Sequence, residues 1–118
     1  MHVLVTATYV QALGDLVDHL LDVGALAAAQ RLEVALLDHW LDALAVHPRA
    51  GRDYLQRNLP TQEVEKTRAQ VAELYGADVE LREIVEGDYL ILYAIRGDAL
   101  YLLTVRHQRT SGFGMLGS

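Results

Sequence analysis

Two periodicities divide this chain. From Tyr9 to Val46 the apolar residues recur at the three-and-four spacing that lines one side of a helix, and from Ala77 to His107 they follow the two-residue period of strands. A chain that makes this change once, helices first, reads as an α+β protein whose helices lay an apolar stripe on a sheet. Its 118 residues suit one compact domain and not two. A single domain is therefore expected over residues 1–109, with a glycine-rich tail at 110–118 as a flexible end.

The elements follow from the same pattern. His2 to Thr8 is short and rich in β-branched residues, which predicts a strand, with Thr8 able to cap the next element. Leu13, Leu16, Val17, Leu20 and Leu21 make one side of a helix over Tyr9–Val23, ended at Gly24. Leu32, Leu36, Trp40 and Leu44 make the apolar row of a second helix, from Leu26 to Val46, stopped by Pro48. The short link between them predicts an antiparallel helical hairpin. Residues 61–75 read as an inserted third helix, capped near Thr61, with Val64, Val71 and Leu74 on one side and Gly76 at its end. Three strands then follow, over Val79–Val85, Tyr89–Arg96 and Ala99–His107. Their links, Glu86-Gly87-Asp88 and Arg96-Gly97-Asp98, are turn-forming and predict an antiparallel meander. Arg-Gly-Asp is read here as a hairpin turn and not as an adhesion motif.

In the middle strand Tyr89, Ile91, Tyr93 and Ile95 point one way and Leu90, Leu92 and Ala94 the other; the next strand sets Leu100, Leu102 and Thr104 against Tyr101, Leu103 and Val105. Both faces are apolar, and one helical hairpin covers only one of them. The second must meet the inserted helix, the tail or another chain, and a partner chain is the expectation.

Charge narrows the function. Ten Lys and Arg stand against 16 Asp and Glu, a net charge of -6, which disfavours affinity drawn from phosphate neutralisation. Residues 1–47 hold six acids and one arginine. No cysteine is present, so disulfides, thiolate metal sites and cysteine nucleophiles are excluded, and a reducing cytoplasm is the expected location. The start of the chain lacks the cationic segment of a signal peptide, and no stretch is long and apolar enough to span a bilayer as a helix. Asp15, Asp18, His19 and Asp22 share a helical side, as do Asp38, His39 and Asp42; amphipathicity alone explains both groups, so no metal is assigned. Arg82, Arg106, His107 and Arg109 are concentrated on neighbouring strands. They suit a phosphate, with His107 as acid or base, or equally a strand-end imidazole on a local acceptor and arginines paired with surface acids.

The order of particular residues resembles the ParE branch of the ParE/RelE toxin superfamily of bacterial toxin-antitoxin modules. The matching features are Leu16 in the first helix, Ala29 opening the second, the turn Pro48-Arg49-Ala50-Gly51-Arg52, Leu81-Arg82-Glu83, the central strand Tyr89-Leu90-Ile91-Leu92-Tyr93, and the terminal Val105-Arg106-His107-Gln108-Arg109. The resemblance implies a toxin held inactive by a cognate antitoxin, with plasmid stabilisation as the setting. Members split by target: RelE-like toxins cut messenger RNA on the ribosome, whereas ParE poisons DNA gyrase. A ribosome-dependent nuclease needs cations to steady its transition state, and this chain has one lysine, Lys66, inside the insertion. Arg49, Arg52 and Arg57 partly meet the basic cluster expected after Pro48; Phe113 lacks the hydroxyl expected beyond the last strand.

The expected function is therefore a ParE-like, non-enzymatic toxin without cofactor, reaching nucleic acid only through its antitoxin. Arg82, Arg106, His107 and Arg109 are the expected target contacts. The antitoxin is expected on the sheet, on the face of Tyr89, Ile91, Tyr93, Leu100 and Leu102 or its opposite, because period alone does not say which face the hairpin takes. The alternatives are an RNA endonuclease using Arg82, Arg106 and His107, and a detoxified member that acts only as a binding or regulatory partner.

Overall fold

The computed structural model describes residues 1–57 and 62–108. Strand β1 (His2–Val5) leads into helix α1 (Ala7–Asp22), and α2 (Leu26–Glu33) runs through a π-helical segment, Val34–His39, into α3 (Trp40–Val46). A short β2 (Arg52–Asp53), α4 (Tyr54–Arg57) and α5 (Gln62–Tyr75) precede β3 (Glu80–Glu86), β4 (Tyr89–Arg96) and β5 (Ala99–His107). The five strands form one mixed sheet in the order β1-β5-β4-β3-β2. β3, β4 and β5 make the expected antiparallel meander, and β1 lies parallel to β5.

The cap of α1 is Thr6 and not Thr8. Thr6 Oγ1 accepts from the Tyr9 amide at 3.2 Å and donates to the Leu102 carbonyl at 2.7 Å, so one side chain both starts the helix and pins it to β5. Gly24 ends the first helix with φ +77°, a left-handed conformation that glycine adopts without a Cβ clash. The π segment interrupts what the periodicity reads as one uniform helix. Within it the Leu36 carbonyl accepts from the buried Tyr9 hydroxyl at 2.8 Å, an anchor across the hairpin. Tyr9→Phe is expected to lower stability by about 1 kcal/mol through loss of that hydrogen bond. An unchanged denaturant midpoint would show that the bond contributes nothing.

The hairpin covers the sheet face bearing Ile91, Tyr93, Ile95, Leu100 and Leu102, packing Tyr9, Ala12, Leu13, Leu32, Leu36 and Leu44 against it. The opposite face, with Leu81, Leu90, Leu92, Ala94 and Leu103, is covered by Tyr54 of α4 and Val64 and Val71 of α5. The expectation of a partner chain on this face is thus corrected: the insertion closes it within the chain. The reason lies in α5, where Val64, Thr67 and Val71 fall one helical turn and then another apart and are all buried. Leu74, read as part of that row, is exposed, and Tyr75 packs instead on Tyr101 with ring centroids 4.9 Å apart.

One irregularity changes the faces. The β4–β5 register shifts between Leu92, opposite Thr104, and Tyr93, opposite Leu102. Leu103 is the extra residue of a bulge, so Val105 joins the hairpin core and not the side of Tyr101 and Leu103. Strict alternation predicts the reverse.

Candidate functional site

The register decides which of the expected functional residues meet. Arg82 stands opposite Tyr93 and His107 opposite Tyr89, so both belong to the hairpin face. Four residues along β4 and two strand spacings separate them, about 16 Å. Arg106 stands opposite Leu90 and belongs to the α5 face. The bulge at Leu103 does not restore convergence, and the three residues do not share a pocket. Arg109 and the tail from Thr110 lie outside the described residues, as does Thr61.

Arg82 is part of a clamp that fastens the turn after Pro48 to the sheet. Its Nε donates to the Gly51 carbonyl at 2.9 Å, and its guanidinium pairs with Glu80, which Arg49 also holds at 3.1 Å. The Gly51 amide donates to the Tyr93 hydroxyl at 2.9 Å. Arg52 pairs with Glu83 at 2.9 Å, and Glu83 is only 2% exposed. The basic cluster after Pro48 is thereby explained as structure: Arg49 and Arg52 serve the glutamates of β3. The side chain of Arg57 lies outside the described set.

Partial burial of Glu80 raises its carboxyl, but hydrogen bonds from Arg49 and Arg82 outweigh it and hold the group below its ordinary value of 4.5. A carboxyl depressed in the folded state contributes stability above its unfolded pKa, and that contribution is lost as pH falls through the folded one. Stability should therefore decline below about pH 4.5, and Glu80→Gln should flatten that decline. Denaturant midpoints measured from pH 6 to pH 3 that run parallel in the two proteins would refute it.

On the α5 face, the Tyr54 hydroxyl is raised by burial while its hydrogen bond with Thr67 and the nearby Arg106 oppose that shift. Arg106 also donates to the carbonyls of His107 and Gln108 at 3.2 and 3.3 Å. These bonds hold its guanidinium at the end of β5, within electrostatic reach of the Tyr54 hydroxyl.

Four of the five residues expected to bind the antitoxin are core residues. Ile91, Tyr93, Leu100 and Leu102 have no exposed area, because the hairpin lies on them, so that expectation is corrected. Tyr89 is half-buried at the strand end, its ring edge-on to His107 with centroids 5.4 Å apart.

Tyr89 and His107 open instead into a groove of about 560 Å³ between the hairpin and the β3–β4 turn. His19 and Arg31 form its helical wall, Glu86 and Asp88 its opposite rim, and Leu20, Leu32 and Ala35 its apolar lining. Trp40 Nε1 donates to Glu86 Oε2 at 2.7 Å, which orients the carboxylate. Gln108 fastens the same turn through bonds to the Gly87 and Asp88 carbonyls, each 2.7 Å. Periodicity places Arg31 on the outer side of α2 but carries no sign that it faces a turn more than fifty residues on. Among the described residues no group of three or more His, Asp or Glu is placed to hold a metal, and no helix is long and apolar enough to cross a membrane.

A family model described as ParE toxin of type II toxin-antitoxin system, parDE, matches residues 3–112. The comparison with curated proteins gives no match.

Proposed function

From the premise that the chain belongs to the ParE toxin family of type II toxin-antitoxin systems, we propose that it inhibits growth by binding a protein target, DNA gyrase by resemblance, and is neutralised by a cognate antitoxin. One observation carries the choice of a binding toxin over a nuclease: Arg82, Arg106 and His107 are divided between two faces of the sheet. Phosphoryl transfer by side chains needs acid, base and cation within reach of one phosphate. Arg82 is moreover committed to Glu80 and Gly51. Target contact falls to the end of β5, where His107 lines the groove, Arg106 projects on the other face of the sheet, and Arg109 follows in the sequence.

The test is toxicity at matched expression, with antitoxin binding as the check on folding. Growth inhibition should largely survive His107→Ala, because a binding surface loses one contact, and should weaken more with Arg106→Ala, arginine being frequent among interface hot spots. A nuclease relying on His107 would instead lose about 100-fold or more in cleavage rate. Complete loss of toxicity in His107→Ala, with antitoxin binding intact and Arg106→Ala still toxic, would overturn the reading.

A further inference from the structure

The two edges of the sheet are built differently. At one edge β2 consists of Arg52 and Asp53 alone and gives way at once to α4, and a strand so short and charged resists pairing with another chain. β1, at the other edge, has no such protection. His2–Val5 contains no proline, no lysine and no formally charged side chain, and it pairs with β5 without a bulge. The His2 amide donates to the Asp98 carbonyl at 2.9 Å and the Thr6 amide to the Leu102 carbonyl at 3.2 Å. In a parallel ladder this commits His2, Leu4 and Thr6 to β5 and turns the N–H and carbonyl groups of Val3 and Val5 outward. Among the described residues no strand or loop pairs with that outward edge.

The surroundings of the edge are apolar. Leu4 and Val5 are 46% and 37% exposed, Val10 of α1 is exposed just beyond them, and α3 packs beside β1 with the exposed Val46 at its end. Charge then selects who can approach. The first formally charged side chain of the sequence is Asp15, whereas the rest of the hairpin carries Asp18, Asp22, Glu33, Asp38 and Asp42, all exposed. Two copies of a chain with net charge -6 repel wherever those carboxylates meet. The β1 edge is a neutral strip on which two copies can touch without bringing like charges together.

We propose that the β1 edge is a self-association surface, on which a second copy of this chain pairs its own β1 antiparallel about a two-fold axis. The inference goes beyond the functional reading above and does not depend on it. The outward groups dictate the register. Val3 of each copy exchanges N–H and carbonyl bonds with Val5 of the other, and Leu4 stands opposite Leu4 across the axis in a non-hydrogen-bonded pair, with Cα atoms about 4.5 Å apart. The exposed leucine that a lone chain leaves in water thereby meets its own copy, and the two sheets become one. Such a contact is small, below about 1,200 Å² in total, which suits a reversible dimer of micromolar affinity. Because β1 stops opposite Leu102, about 16 Å short of His107 along β5, pairing leaves the groove at the end of β5 open on both copies.

Sedimentation equilibrium of the full chain tests this. A monomer–dimer equilibrium should appear in the micromolar range and tighten as salt screens the like net charge of the two copies. Leu4→Lys sets two ammonium groups face to face on the axis and should weaken the dimer at least about tenfold. Leu74→Lys adds the same charge at an exposed position of α5 and should leave it unchanged. A second variant reads the register directly: the chain has no cysteine, so Leu4→Cys under mild oxidation should yield a covalent dimer, the Cα separation of the pair lying within the span of a disulfide, while Leu74→Cys should yield little. If Leu4→Lys also lowers the thermal midpoint, the Leu4→Cys yield decides. A chain that stays monomeric at several hundred micromolar, a dimer indifferent to Leu4→Lys, or equal linking through Leu4→Cys and Leu74→Cys would each overturn the proposal. So would protection of the Val3 and Val5 amides from hydrogen exchange that appears only when antitoxin is added, which would give the edge to a strand of that partner.

Discussion

Unopposed expression of the chain in a bacterial host is expected to stop colony formation and induce the DNA-damage response, and co-expression of its antitoxin is expected to restore growth. The size of this effect follows from the proposed target. A toxin that holds gyrase on cleaved DNA leaves broken chromosomes behind, so a modest number of occupied enzymes is lethal. A messenger-cutting toxin stops translation and leaves the DNA intact. The two outcomes are separated by measuring a damage-responsive reporter beside the half-life of a stable messenger. Induction with messengers preserved supports the binding toxin. Rapid messenger loss without induction favours the nuclease, and normal growth at good expression favours a detoxified member. Leu92→Asp serves as the control for folding, since Leu92 has no exposed area and a carboxylate there would lie against Val71 and Leu103 in the second core.

A large effect on stability is expected from a single added methyl group, Gly51→Ala. A Cβ at Gly51 would lie 2.6 Å from the Glu83 carbonyl oxygen and 2.6 Å from the Tyr93 hydroxyl. The first is sheet backbone and the second a fully buried ring, so neither yields cheaply. Relief requires the turn to lift from β3, which breaks the bond from the Gly51 amide to Tyr93 and strains the one from Arg82 to the Gly51 carbonyl. Overpacking costs about 1–3 kcal/mol and each buried hydrogen bond about 1. Together they predict a loss of about 3 kcal/mol or more, a large share of a stability of roughly 5–15. Denaturant unfolding of the purified protein measures it, and a loss under about 1 kcal/mol would show that the turn is not clamped. Gly51→Ala should also reduce toxicity in proportion to the folded fraction, while His107→Ala should leave the midpoint unchanged.

The turn Pro48-Arg49-Ala50-Gly51-Arg52 was legible as a motif, but its purpose was not. Its arginines suggest a phosphate cluster until the register sets Arg52 opposite Glu83 and Asp53 opposite Arg82, making them partners of β3. The apolar double face of β4 was equally legible, and it implied that something must cover the second side. The identity of that cover depended on α5, whose contact row contains a threonine and a tyrosine and so reads as polar. His107 was singled out correctly as standing at the strand end, whereas Arg31, Glu86 and Asp88 around it carried no local pattern. Such a groove is made by residues brought together from α1, α2 and the β3–β4 turn, and nothing in a linear sequence marks that meeting.

The sequence by itself determined the α+β class, the hairpin and the antiparallel meander, because these follow from local periodicity and turn chemistry. It also determined the acidic character of the hairpin and, through residue order, the toxin family. Tertiary structure alone decided which face the hairpin takes, that Thr6 and not Thr8 caps α1, and how the bulge at Leu103 moves Val105 between cores. It decided too that Arg82 and His107 stand apart and that Arg106 faces the other way. The physical reason is common to these cases. Side-chain direction in a sheet alternates with each residue, so one inserted residue or one step of register reverses a face, and pairing across distant segments sets that step.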